Sequence, residues 1–139
     1  MINLKKPQES IVLITSAKKA NVIGTGFPFY REQNYTYLLT CTHVVQDMGG
    51  NENILVNNIP VEVVAVGDIK GFDLAVLRVK ESLPVPILRL MILDGEEERS
   101  FQIKIPGYFL WGENKALRRK TIKGIMMVEV DGERAFQII

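Results

Sequence analysis

Cysteine is almost missing from this chain: Cys41 is the only one in 139 residues. No intrachain disulfide can staple it, so folding must rest on buried apolar surface, and a reducing, cytoplasmic setting is the plain expectation. Histidine is equally scarce, with His43 alone. One thiol, one imidazole and no clustered carboxylates argue against a zinc or calcium site, so no metal and no cofactor is expected. No apolar run approaches the roughly 18 residues that would span a bilayer. The opening Met1–Ser10 has no apolar stretch of signal-peptide length. Charge of one sign is also lacking: the formal net charge is +1, without the basic excess usual in nucleic-acid binders. Neither a membrane nor a nucleic acid is therefore expected as partner.

What remains is ordinary globular material in a β texture. Ser10–Ser16, Asn21–Tyr30, Tyr35–Cys41, Val61–Val66 and Leu74–Val79 are extended, β-branched or aromatic runs of strand length, separated by Gly, Asn and Asp. Helix signals are poor. Val44–Met48 allows one short turn before Gly49-Gly50 stops it, and nothing longer holds a 3.6-residue apolar period. The fold class is all-β, a sandwich or barrel.

Pro84 and Pro86 interrupt the β pattern at Ser82–Pro86. Proline lacks the ladder N–H, so this reads as a linker, dividing the chain into residues 1–85 and 86–139. Beyond it come Ile87–Leu93, an acidic turn at Gly95–Glu98, Phe101–Leu110, and a pair Lys120–Val130 and Arg134–Ile139 joined by the turn dipeptide Asp131-Gly132.

Chemistry concentrates in the first part. Gly24-Thr25-Gly26-Phe27 is followed, after one hairpin, by Thr40-Cys41-Thr42-His43-Val44-Val45. Thirty residues past His43 stands Asp73, in Phe72-Asp73-Leu74-Ala75-Val76-Leu77-Arg78-Val79. In order and spacing these three segments resemble the chymotrypsin/trypsin-like serine peptidases of the bacterial high-temperature-requirement branch. There a G-x-G-F strand precedes T-x-x-H-V-V, and a D-[LI]-A-[VL]-L-[RK] strand follows.

The resemblance implies His43 as general base and Asp73 as the carboxylate that orients it, because a serine hydroxyl needs an imidazole to take its proton. It also implies a double Greek-key β-barrel, with the first barrel in residues 1–85. The second, in 86–139, would be incomplete, with about four strands where the family uses six. The family's serine loop, G-[DNT]-S-G-[GS]-P, is not found. Ser10, Ser16, Ser82 and Ser100 are the only serines and none has flanking glycines. The chain is thus expected to stop short of its nucleophile and oxyanion hole, and to be inactive alone.

Other readings of these residues carry less. Gly24 and Gly26 lack the third glycine and the helix of a phosphate loop, and suit a bend in a barrel strand. Cys41, two residues before His43, would share its face along a strand, but its apolar context suggests core. Asp68 competes with Asp73 but lacks the alternating strand behind it. Arg118-Arg119-Lys120, with Lys115 and Lys123, reads as a solvated hairpin.

Two functions are therefore expected. One is a trypsin-like serine endopeptidase, or a fragment of one, acting on peptide or protein substrates. The other is an inactive pseudo-peptidase that binds proteins. Open strand edges would favour self-association.

Overall fold

The computed structural model describes residues 7–90, 101–130 and 133–138. Antiparallel strand dominates it, in two sheets. The first has seven strands: β1 (Val12–Ser16), β2 (Ile23–Glu32), β3 (Tyr35–Thr40), β4 (Ile54–Val56), β5 (Ile59–Pro60), β6 (Glu62–Val66) and β7 (Ala75–Val79). They lie in the order β5-β4-β1-β2-β3-β7-β6 and curl into a half-barrel. The second sheet has three strands in the order β10-β9-β8: β8 (Phe101–Trp111), β9 (Ala116–Val130) and β10 (Glu133–Ile138). One helix, α1 (Thr42–Asp47), follows β3. Among the described residues, no helix is long and apolar enough to cross a membrane.

Alternation builds the core of the first sheet. Val12 and Ile14 of β1, Leu38 of β3, and Ala75, Leu77 and Val79 of β7 point to one buried face. Val45 and Met48 close it from α1, Ile54 and Val56 from β4, and Leu83 from the segment after β7. At about 25 cal/mol per Å² of apolar surface removed from water, each fully buried Leu or Ile contributes roughly 1.5–3 kcal/mol. The opposite face of β6 and β7 is held by charge. Glu62 accepts from Arg78 across the pair and from Lys80 at 2.9 Å. These two cations hold its carboxyl below the usual range. The Arg78 guanidinium also lies 5.2 Å from the centre of the Tyr35 ring.

Turn chemistry sets the hairpins. Gln33 takes a positive φ of 54° between β2 and β3. Asn57 and Asn58, at φ 48° and 67°, join β4 to β5 with the twist that a two-residue hairpin prefers. That small hairpin was not among the strands expected from sequence. Conversely, the expected run Ile87–Leu93 is not a strand over 87–90, and its remaining residues lie outside those described. The reason is visible in its surroundings. With Pro84 and Pro86 unable to donate, the segment is tied by point contacts. Arg31 donates to the carbonyls of Leu83 at 2.7 Å and Val85 at 3.0 Å, and Leu88 N–H donates to Pro28 at 2.9 Å. The second unit shows three strands, not four, among the described residues. Its β8 meets β2 directly, Tyr108 N–H donating to Thr25 Oγ1 at 2.8 Å. Asp131-Gly132 and the acidic turn at Gly95–Glu98 lie outside the described residues.

Gly24 has a specific task. A Cβ built there would stand 2.3 Å from Val44 Cγ1, so α1 packs straight onto the β2 backbone. Gly24→Ala is expected to cost about 1–3 kcal/mol by overpacking. Urea denaturation measures it, and Val44→Ala in the same chain should recover most of the loss.

Candidate active site

The chain leaves β3 at Thr40 and turns into α1 at once. Cys41, with φ −101° and ψ 149°, is the residue before the helix and makes no side-chain cap. His43 is therefore in the first helical turn, where a continuing strand would have carried it on the same face as Cys41. Its ring is 53% exposed. Gly49 and Gly50, both at positive φ, end the turn of chain that follows.

Asp73 arrives from the loop between β6 and β7. Gly67 N–H closes that loop on Leu74 O at 2.7 Å, and a Cβ on Gly67 would lie 2.2 Å from Phe72 O. The rival acid, Asp68, is spent inside the loop, accepting from Lys70 N–H at 3.0 Å. Thr42 fastens the loop to the helix. Its buried hydroxyl donates to Leu74 O at 2.9 Å and accepts from Gly67 N–H at 3.1 Å. Sequence reading passed over Thr42. Its one signal was a hydroxyl-bearing, β-branched residue directly before the histidine.

The outcome is a two-point contact. His43 Nδ1 lies 2.5 Å from Asp73 Oδ2, and the backbone N–H of His43 donates to Asp73 Oδ1 at 3.0 Å. Asp73 thus caps a helical N–H that Cys41 leaves free, while fixing the ring beside it. The hydrogen bond from the His43 ring, then the one from the His43 backbone N–H, hold its carboxyl below the usual carboxylate range. With Asp73 ionised, Nδ1 carries the ring proton, which leaves Nε2 of a neutral ring as the basic nitrogen. This is the arrangement a general base requires.

A depressed carboxyl has a defined consequence in acid. The unfolded chain binds the Asp73 proton more readily, so the stability that this contact adds is full above the unfolded pKa of about 3.9. It is lost as pH falls through the lower, folded value. Urea midpoints taken from pH 6 downwards should drop more steeply for the native protein than for Asp73→Asn.

Comparison with protein-family models, with curated proteins and with solved structures found no match. Function must therefore be argued from the geometry.

Cys41 is half-buried and not a core residue. Because the chain turns at Thr42, it does not share a strand face with His43, yet the fold keeps the two close. The Cys41 sulfur, a His43 ring nitrogen and an Asp73 oxygen lie within 4.8 Å of one another. Burial first, and then the Asp73 charge, raise the thiol's pKa, so it is not an activated nucleophile. Nor does a described serine serve that role here: Ser10 is buried, and the Ser16 hydroxyl donates to Met48 O at 2.6 Å. No hydrogen bond joins Ser82 to His43 among the described residues, and Ser100 lies outside them. An open cleft of about 530 Å³ runs between the two sheets, lined by Lys19, Ile23, Asp47, Tyr108 and Phe109 among others, and neither His43 nor Asp73 lines it. Asp47 stands one helical turn beyond His43, on the same side of α1. Phe72, 83% exposed, and the exposed Ile69 and Leu74 belong to the Asp73 loop, and the exposed Val64 and Val66 to the strand β6 that leads into it.

Proposed function

We propose that this chain carries the base half of a trypsin-like serine endopeptidase, of the high-temperature-requirement branch. His43 takes the proton of a serine hydroxyl, and Asp73 holds the imidazole in the tautomer that can accept it. The single observation behind this reading is the contact of 2.5 Å between His43 Nδ1 and Asp73 Oδ2, reinforced by the backbone bond to Oδ1. A structural ion pair needs no such second bond. An orienting carboxylate benefits from one, because it fixes the ring direction as well as its charge. The reading places the nucleophile and the oxyanion-hole amides outside these 139 residues, on a complete double barrel.

The test is hydrolysis of an unfolded protein substrate by the protein as its own cells make it. Wild-type protein should release peptides, and His43→Ala should release none while keeping its fold, since the ring is largely in solvent. Turnover that survives His43→Ala sinks the assignment.

A second reading, a pseudo-peptidase that binds proteins or a second copy of itself, draws on the apolar residues exposed around Asp73. Several exposed large apolar side chains within one short stretch of chain are a mark of an interaction surface. Under it, native protein binds unfolded chains without cutting them, and His43→Ala binds as well as wild type.

A further inference from the structure

We propose that Cys41, His43 and Asp73 together form a site for one thiophilic divalent cation, Zn²⁺ being the best match. The inference does not depend on peptidase activity. It starts from three donor atoms of different chemistry, a sulfur, an imidazole nitrogen and a carboxylate oxygen, lying within 4.8 Å of one another. A tetrahedral ion with bonds of about 2.0–2.3 Å would hold such atoms roughly 3.3–3.8 Å apart. Reaching that spacing parts His43 Nδ1 from Asp73 Oδ2, now 2.5 Å apart, and draws the sulfur in, by side-chain rotation and not by a change of fold. His43 has room to turn, with 53% of its side chain in solvent, while Cys41 directly follows β3 and the Asp73 loop is anchored through Thr42 and Gly67.

The donor set selects the ion. Magnesium and calcium want six or more oxygens, and this site supplies one carboxylate. Sulfur and imidazole favour zinc and its neighbours in the first transition row. Three protein ligands would leave a fourth position for water, the pattern of open zinc sites and not of closed structural ones.

The proton balance is simple. The ion enters the gap between thiol and carboxylate, a metal–sulfur bond forms, and the S–H proton leaves to solvent, one per ion bound. If Nδ1 is the ligating nitrogen, its proton moves to Nε2 by tautomerisation and the ring stays neutral. The bond from His43 to Asp73 opens in exchange. Metal binding and the hydrogen-bonded pair are therefore alternative states of the same residues. A bound ion takes the pair out of proton transfer.

Co²⁺ added to the protein as its own cells make it tests this, because it reports ligand type in its absorption and can be displaced by Zn²⁺. The expected result is saturation at one ion per chain. Bands of tetrahedral Co²⁺ should appear in the visible, with a thiolate-to-metal band in the near ultraviolet, and Zn²⁺ should erase both. Cys41→Ser should remove the near-ultraviolet band. His43→Gln, at an exposed position where folding is not at stake, should weaken binding at least about 100-fold, the upper end of what loss of a mere supporting contact costs. Asp73→Asn should weaken it similarly. Absence of a thiolate band with Co²⁺ in tenfold excess over folded protein overturns the proposal. So does a band whose affinity is unchanged in both His43→Gln and Asp73→Asn, since Cys41 would then bind alone. The readout is optical, so a peptidase assay that fails leaves the result standing, and the reverse holds too.

Discussion

Under the proposed peptidase function, Asp73→Asn is expected to lower kcat on peptide substrates by about four orders of magnitude, the loss that follows when a triad histidine is held in the wrong tautomer. The geometry gives the reason. Asp73 presents two acceptor oxygens, one to His43 Nδ1 and one to the His43 backbone N–H. Asparagine offers one oxygen and one NH₂. If its oxygen keeps the backbone N–H, its NH₂ faces Nδ1 and turns that nitrogen into an acceptor. The ring proton then sits on Nε2, where the serine proton should go. If the amide flips, Nδ1–H is satisfied but two N–H groups oppose each other at the start of α1. Steady-state kinetics at fixed pH measure the loss, and circular dichroism should show the fold unchanged. A fall of less than tenfold would mean that Asp73 is only a helix cap.

The second large effect is on stability. Leu77→Ala should destabilise the protein by about 2–5 kcal/mol, a large part of the roughly 5–15 kcal/mol that holds a domain folded. Leu77 is fully buried on β7, directly opposite Leu38 of β3, itself fully buried, and Val63 of β6. Truncation would open a cavity between strands that are braced on both sides and can collapse only partly. Leu77→Met, which keeps the volume, should cost under about 1.5 kcal/mol. Denaturant unfolding of the three proteins separates cavity from side-chain chemistry. Since β7 begins two residues after Asp73, the Ala variant should also loosen the contact with His43.

Much of this was legible in the residues. The alternation in β1, β3 and β7 is strong because each buries one face, and the order and spacing of three linked motifs are enough to single out His43 and Asp73. Gly49-Gly50 marked the end of the helical stretch. What escaped was whatever depends on short elements or distant neighbours. Strands of three and two residues, as in β4 and β5, are too brief for a period to show, and the Asn57-Asn58 turn between them was passed over. Ile87–Leu90 has strand composition, yet two prolines and the Arg31 tether decide its path. Cys41 read as a core residue on a strand because nothing local announced that the chain would turn at Thr42. Its closeness to Asp73, thirty-two positions away, belongs to the loop that Gly67 and Thr42 close.

The central claim is that His43 and Asp73 activate a serine. The most direct measurement is the intact mass of the protein, isolated from its own cells, after reaction with a fluorophosphonate. The expected result is a single phosphonyl adduct on a serine outside these 139 residues, and no adduct in His43→Ala. A native product that gains no adduct, while still carrying the pair, would contradict the claim and leave the binding-module reading in its place.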